Sequence, residues 1–222
     1  MTSMPTNNLD PRLRKYWRDI EAIVPTPDIA LDCGAHVGET SVELRNMFPN
    51  ATIYAFEPAS IAFETLRINC RALRVHPVNV AVGNHVGRAI LNHTATPQAN
   101  SLFGFEAGNP CAADTAIIGS EEVDVITLDG WCADNGIDTT RIDVLKIDIQ
   151  GSELAALKGA TRILETVPAV FIEVCYVPLY KGMPLYEEID VWLFDVGYRL
   201  HDIYKTPKPD AWGDALYVRR GS

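Results

Sequence analysis

A short apolar strand that runs directly into a glycine turn constrains the fold of this 222-residue chain more than any other feature. Residues 29–31 form the strand, and the run Asp32-Cys-Gly-Ala-His-Val-Gly38 follows, leading into a helical pattern. Gly34 and Gly38 permit a tight turn and a close approach of the main chain to another group. Ligands of open α/β sheets bind beyond the carboxyl ends of the strands, so this turn predicts a ligand site there.

Strand and helix patterns alternate after this turn, which predicts a mostly parallel sheet with helices on both faces. The last two strands have only a turn-rich link between them, residues 206–213, and we expect them to pair as an antiparallel hairpin. The prediction is an α/β, Rossmann-like, seven-stranded mostly parallel sheet with a terminal antiparallel strand. Its strands are expected at 29–31, 52–56, 75–82, 143–148, 169–174, 198–204 and 215–219, with helices at 39–47, 59–72, 152–164 and 187–196. An edge strand at 88–94, a strand at 123–128 and a helix capped by Asp129 are also expected.

The length of the chain fits one α/β domain better than two. Helical spacing over 11–23, stopped by prolines, predicts an N-terminal helical extension over 1–27 and a single domain over 28–222. The polar N-terminus predicts no signal peptide, and no apolar run reaches the roughly 18 residues of a membrane span.

Charge and cysteine content narrow the classes of function. The net charge of −10 disfavours nonspecific binding to nucleic acid, which needs clustered basic residues. The five cysteines are odd in number and form no C-x-x-C pair, which argues against a zinc site or a disulfide framework. We therefore expect a cytoplasmic protein with neither a nucleic-acid nor a membrane partner.

Acidic residues end the first two strands, and they point to the kind of ligand. The pattern beginning at Asp32 is D-x-G-x-x-x-G, not the G-x-G-x-x-G of dinucleotide sites. An anion beside a pyrophosphate is unfavourable, whereas beside an ammonium or sulfonium group it is favourable. S-adenosylmethionine carries both cationic groups and no phosphate. Glu57, 19 residues after Gly38, can accept both ribose hydroxyls, and Asn79 is a candidate for the adenine end or a plain strand-end residue.

Two further carboxylates, Asp148 and Glu173, end strands that should be adjacent, so their side chains could converge on one pocket. We predict that they are catalytic, because a base that removes a hydroxyl proton assists methyl transfer and because such proximity would raise the pKa of one of them. Alternatively, Asp148 caps a helix beginning near Ser152, and Glu173 pairs with Lys146 or Lys158. Mg²⁺ could join the two carboxylates, but no third ligand is evident and no metal site is predicted.

Candidates for binding the acceptor come from two irregular segments. Tyr176 and Tyr180 follow Glu173 in a loop, and aromatic rings there would stack on a sugar or another ring. Ser101 lies in the irregular segment 96–110, which could form a lid over the site. Ordinary loop packing remains an alternative for all three side chains.

These segments resemble the FkbM family of methyltransferases over residues 28–218. The pieces that carry the resemblance are Leu31-Asp-Cys-Gly-Ala-His-Val-Gly38, Ala55-Phe-Glu-Pro58, Asn79-Val-Ala-Val-Gly83, Val125-Ile-Thr-Leu-Asp-Gly-Trp131, Ile142-Asp-Val-Leu-Lys-Ile-Asp-Ile-Gln-Gly-Ser-Glu153, Leu157-Lys-Gly-Ala160, Ile172-Glu-Val174 and Tyr180-Lys-Gly182. The resemblance implies a class I methyltransferase fold and transfer of methyl groups to hydroxyl oxygens, often on sugars or polyketide-type natural products. The chain departs from the family in having His36 where an asparagine is common and Gln150 where an acidic residue is usual.

The sequence thus predicts an S-adenosylmethionine-dependent O-methyltransferase acting on a hydroxyl of a small molecule, a sugar or a natural product. A nicotinamide-dependent oxidoreductase on a related sheet, or a nucleoside-binding protein without turnover, would be the alternatives, and nitrogen or carbon could be the acceptor atom. The residues predicted to bind the cofactor are Asp32, Gly34, Ala35, His36, Gly38, Ser41, Glu57, Asn79, Asp148 and Gln150.

Overall fold

A computed structural model of the chain describes residues 11–108, 110, 116–205 and 211–221, with no side-chain detail for 11–14 and 205. The polar N-terminus, Cys111 and most of the link at 206–213 lie outside the described residues. The strands are β1 Ile29–Cys33, β2 Thr52–Phe56, β3 Val75–Val78, β4 Ala81–Val82, β5 Gly87–Thr94, β6 Ile117–Ile126, β7 Ile142–Ile147, β8 Ala169–Cys175, β9 Tyr198–Lys205 and β10 Trp212–Arg219. The α-helices are α1 Pro11–Ile23, α2 Glu39–Met47, α3 Ser60–Cys70, α4 Leu128–Asp134, α5 Glu153–Lys158 and α6 Tyr186–Asp195.

Seven strands form the main sheet in the order β3-β2-β1-β7-β8-β10-β9. The contacts among β3, β2, β1, β7 and β8 are parallel, and β10 is antiparallel to both β8 and β9. The predicted mostly parallel sheet with an antiparallel strand near its end is therefore confirmed. The strand order reverses between β1 and β7, so the loops that follow these strands separate there and leave a crevice.

Strand β1 lies at the centre of the sheet, and its sequence is apolar almost without interruption. All five of its residues are buried, because helices cover both faces of the sheet. Leu31 and Cys33 belong to the core on one face, and Ala30 belongs to the core on the other. Successive side chains of a strand point to opposite faces, so this short segment serves both cores.

Helix α1 packs on the main sheet. Tyr16 and Trp17 are buried, and the ring centroid of Tyr16 lies 4.4 Å from that of Phe171 in β8. Tyr204 at the sheet edge donates a hydrogen bond to Asp19. The division of the chain into an extension over 1–27 and a domain over 28–222 stays a prediction.

The structure corrects the expectation of one strand over 75–82. The chain turns at Asn79, where the amide of Val80 donates to the carbonyl of Val78, and β4 leaves the main sheet. A second sheet of order β4-β6-β5 results, parallel between β4 and β6 and antiparallel between β5 and β6. The expected strands at 88–94 and 123–128 both lie in this second sheet.

Two helix predictions also need correction. The cap of α4 is Thr127, whose hydroxyl accepts a hydrogen bond from the amide of Gly130 at 3.2 Å. Asp129 instead accepts hydrogen bonds from the amides of Arg162 and Ile163. Helix α5 ends at Lys158, so the helix expected over 152–164 is divided into α5 and a separate 3₁₀ turn.

Candidate functional site

The turn after β1 is shaped by contacts within the chain itself. Gly34 has a φ of 79°, and a Cβ atom there would lie 1.8 Å from the carbonyl oxygen of Asp148. The amides of Gly34 and Ala35 both donate to the carbonyl of Phe56, at 3.0 and 2.9 Å. Glycine is therefore required where the loops after β1 and β7 cross, and this contact fixes the floor of the crevice.

Glu57 closes the same side of the crevice. One carboxylate oxygen accepts a hydrogen bond from the amide of His36, and the other from the amide of Ala59, each at 2.8 Å. Burial raises the pKa of Glu57, and these two hydrogen bonds act in the opposite direction. Asn79 donates to the carbonyls of Glu57 and Pro58, so it braces the turn that carries the carboxylate. We call Gly34, Ala35, His36 and Glu57 the turn side of the site.

Asp32 lies behind the turn side and makes no contact with the crevice. It is fully buried, accepts a hydrogen bond from Ser41 at 2.6 Å and lies 3.1 Å from the ammonium of Lys146. Lys146 also donates to the carbonyl of Gly34 at 2.9 Å and lies 3.8 Å from the carboxylate of Asp148. Although burial disfavours the charged ammonium, the carboxylates raise the pKa of Lys146 overall. The charge of Asp32 is therefore matched inside the protein. Neither Asp32 nor Ser41 lines the crevice, and their contacts with a cofactor stay a prediction.

Asp148 and Glu173 do converge, and Gln150 joins them. The side-chain amide nitrogen of Gln150 lies 2.8 Å from a carboxylate oxygen of Asp148 and 2.9 Å from one of Glu173. Burial, followed by the charges of Asp148, Glu153 and others, raises the pKa of Glu173 well above its ordinary value. We call Asp148, Gln150 and Glu173 the carboxylate side of the site.

Glu153, which the sequence analysis did not single out, holds the loop that carries Gln150. Its buried carboxylate accepts hydrogen bonds from the amides of Ile149 and Gly151 at 3.0–3.1 Å. Burial raises the pKa of Glu153 to about 7. Lys146 and Glu153 could have been suspected from sequence, because each is a charged residue in an otherwise apolar or turn-forming run.

The three residues predicted to bind the acceptor, Ser101, Tyr176 and Tyr180, make different contacts. The hydroxyl of Ser101 donates to the main-chain carbonyl of Gln150 at 2.5 Å, and the hydroxyl of Tyr180 donates to the side-chain oxygen of Gln150 at 2.6 Å. Both side chains are nearly fully buried. Tyr176 packs against Tyr186, with ring centroids 5.7 Å apart. Ser101 and Tyr180 thus connect the irregular segments to the carboxylate side.

A cavity of about 150 Å³ lies between the turn side and the carboxylate side. The predicted site residues that line it are Gly34, Ala35, His36, Glu57, Ser101, Asp148 and Gln150. Those that lie outside its lining are Asp32, Gly38, Ser41, Asn79, Glu173, Tyr176 and Tyr180. One wall is apolar and is formed by Val80, the two residues of β4 and Leu91 of β5.

Among the residues that the structure describes, no group of three or more histidine, cysteine or acidic side chains is placed to hold a metal ion. Within the same part of the chain, no helix has both the length and the apolar character needed to cross a membrane.

The sheet order, the antiparallel β10 and the crevice at the strand-order switch are those of class I methyltransferases. Solved structures share this fold. A putative rRNA methylase from Clostridium thermocellum aligns with a TM-score of 0.53 at 11% identity, over 96% of this chain and 97% of its own. The 1,6-didemethyltoxoflavin-N1-methyltransferase of Burkholderia thailandensis, solved with S-adenosylhomocysteine, aligns with a TM-score of 0.52 at 13% identity, over 94% and 78%.

The chain belongs to the methyltransferase FkbM domain family, whose family model matches residues 32–200. It is a methyltransferase, and S-adenosylmethionine is its methyl donor. The 2-O-methyltransferase NoeI of Sinorhizobium fredii is 26% identical, over 84% of this chain and 78% of that protein. The 31-O-demethyl-FK506 methyltransferase FkbM of Streptomyces tacrolimicus is 29% identical, over 60% of this chain and 59% of its own length. These matches give no support to the two alternative predictions, a nicotinamide-dependent oxidoreductase and a nucleoside-binding protein without turnover.

Proposed function

We propose that this chain methylates a hydroxyl oxygen of a small molecule, a sugar or a natural product. The observation that carries the proposal is the carboxylate of Asp148 at the wall of the cavity, with Glu173 held beside it through Gln150. An aliphatic hydroxyl is a weak nucleophile until its proton leaves, so a carboxylate at this position is what the reaction needs. Two relatives whose names specify O-methylation support the same acceptor atom.

The turn side suits the nucleoside part of S-adenosylmethionine. Each carboxylate oxygen of Glu57 accepts one main-chain hydrogen bond, which leaves acceptor capacity for the two ribose hydroxyls. The apolar wall at Val80 to Val82 suits an adenine ring.

In this proposal Asp148 would accept the proton of the acceptor hydroxyl, whose oxygen would take the methyl group as the methyl–sulfur bond breaks and a neutral thioether leaves. When bound, S-adenosylmethionine supplies an electrophilic methyl group on a cationic sulfur. Among the described residues, the side-chain amide of Gln150 donates a hydrogen bond to one carboxylate oxygen of Asp148. The Asp148 side chain is partly exposed, so its carboxylate can also face an acceptor. Glu173 does not line the cavity, and it acts through Gln150.

The test is methyl transfer from S-adenosylmethionine carrying a ¹³C methyl group, offered to neutral polyols, monosaccharides and macrocyclic alcohols, each beside its amino analogue. We expect the ¹³C signal at the chemical shift of a methyl ether. Asp148→Asn should lower the rate by about 10²–10⁴-fold while S-adenosylhomocysteine still binds by calorimetry. The matched control is Asp134→Asn, which makes the same change at an exposed position in α4 and should leave the rate unchanged. Methylation of the amines alone, or full activity of Asp148→Asn, would show the proposal to be wrong.

Three of the described cysteines, Cys33, Cys70 and Cys132, are buried free thiols. This supports a further proposal, that the chain works in the reducing cytoplasm.

A further inference from the structure

Gln150 occupies a backbone conformation that a residue of its type seldom adopts. Its φ is 55°, in the left-handed region, and Gly151 after it has a φ of 104°. Such a conformation costs about 1 kcal/mol or more and persists only where the surroundings enforce it. Here the enforcing group is Glu153, whose carboxylate accepts the amides of Ile149 and Gly151 on either side of Gln150. A strained residue held by a buried clamp points to a functional constraint on its side chain.

The side-chain amide of Gln150 is fully used. Its two N–H groups are directed to the two carboxylates, and its oxygen accepts the hydroxyl proton of Tyr180. Burial raises the pKa of Tyr180, so this hydroxyl stays protonated and remains a donor. A donor at that position orients the amide, because the opposite orientation would place two donors face to face.

We propose that Gln150 is a positioning residue whose amide orients the carboxylates of Asp148 and Glu173 for the reaction. Tyr180 fixes the side chain of Gln150 and Ser101 fixes its main chain. These two hydrogen bonds connect the loop at 149–151 to the segments that carry Ser101 and Tyr180, which are distant in sequence. The inference rests on the proposed function for its chemistry, but its geometry can be tested without turnover.

The electrostatics of the carboxylate side explain why such a bridge is needed. Burial, and then the charges of Asp148, Glu153 and Asp214, raise the pKa of Glu173, and Lys146 lowers it. Without a donor between them, adjacent carboxylates repel or share a proton in an undefined position. An amide that donates to both favours their ionised forms and holds their oxygens at fixed places.

The first experiment follows the titration of Glu173 by NMR in protein labelled with ¹³C at the glutamate carboxyl groups, with Glu173→Gln to assign the signal. Gln150→Met removes both donors at nearly constant length, so we expect the midpoint for Glu173 to rise by about one pH unit. Tyr180→Phe, which leaves Gln150 intact, should produce a smaller rise. Gln98→Met is the matched control, because Gln98 also lines the cavity, whereas the described side-chain hydrogen bonds to the two carboxylates come from Gln150. An unchanged midpoint in Gln150→Met and Tyr180→Phe would overturn the proposal.

The second experiment uses the acceptor found in the labelling test. Gln150→Met should lower kcat about 10–100-fold, leave the KM for S-adenosylmethionine within about threefold, and move the acid limb of the pH–rate profile upward by about the same unit. A residue that merely supports the fold would leave the position of that limb unchanged, and that result would overturn the positioning role. If the wild-type chain methylates no hydroxyl but Gln150→Met still shifts the Glu173 midpoint, the proposed function fails and the bridging geometry stands.

Discussion

The two sides of the cavity are built in different ways. The turn side is held by main-chain groups: the amides of Gly34 and Ala35 bind the carbonyl of Phe56, and Glu57 binds the amide of His36. The carboxylate side is held by side chains from distant segments that meet at Gln150. A main-chain surface changes little with sequence, whereas a side-chain network can change residue by residue. We infer that single side-chain substitutions should perturb the carboxylate side more than the turn side.

The largest effect is expected where the two sides touch. Gly34→Ala places a Cβ atom 1.8 Å from the carbonyl oxygen of Asp148, and the loops after β1 and β7 must separate to admit it. We expect the free energy of unfolding to fall by more than about 4 kcal/mol, or the protein not to fold at all. Urea denaturation measures this loss. Gly136→Ala is the control, because Gly136 also has a positive φ of 65° but no atom within 4 Å of the added carbon. It should cost only about 1 kcal/mol, and equal losses for the two variants would refute the role of the contact.

Lys146 is the second link between the sides, since its ammonium binds the carbonyl of Gly34 and lies between Asp32 and Asp148. Lys146→Met leaves the buried carboxylate of Asp32 without its positively charged partner, which should cost about 3–5 kcal/mol of unfolding free energy. The second change Asp32→Asn should restore part of that loss. Lys158→Met at an exposed position should cost no more than about 0.5 kcal/mol. If adding Asp32→Asn to Lys146→Met lowered the unfolding free energy further, the broken ion pair would not be the cause of the loss in Lys146→Met.

The same contrast explains what the sequence could predict. The turn side follows from a local run of residues after a buried strand, and the sheet order follows from alternating patterns, so both were predictable. The side-chain partners of Lys146 and Gln150 were not, because those partners lie elsewhere in the chain and the pattern carries no information on side-chain direction. The second sheet was missed because β4 has only two residues and continues the apolar run of β3. The ion pair of Asp32 could not be foreseen, because its lysine lies 114 residues away.

A pH-dependent effect is expected on the carboxylate side. Burial raises the pKa of Glu153 from 4.5 to about 7. A carboxyl group whose pKa is raised in the folded state makes its full contribution to the free energy of unfolding when the pH is below its ordinary pKa. That contribution is lost as the pH rises towards 7. Glu153→Gln stays neutral, so its stability relative to the wild type should improve by up to about 3 kcal/mol between pH 4.5 and 7.5. Denaturation at several pH values measures this, with exposed Glu165→Gln as a control whose difference from the wild type should stay constant. A constant difference for Glu153→Gln would show that burial does not raise the pKa of this carboxyl group.

The smallest effect is expected for His36→Asn on the turn side. His36 has a φ of 49°, and asparagine is, like histidine, one of the few residues other than glycine that accept the left-handed region readily. The contact with Glu57 uses the main-chain amide, which any residue except proline supplies. We therefore expect the unfolding free energy to change by less than about 0.5 kcal/mol and the affinity for S-adenosylhomocysteine, by calorimetry, to stay within about threefold. His36→Val is the informative control, because a β-branched side chain at this φ should cost about 1–2 kcal/mol. A large loss of affinity in His36→Asn with stability retained would mean that the imidazole itself binds the ligand, and the turn side would then depend on a side chain just as the carboxylate side does.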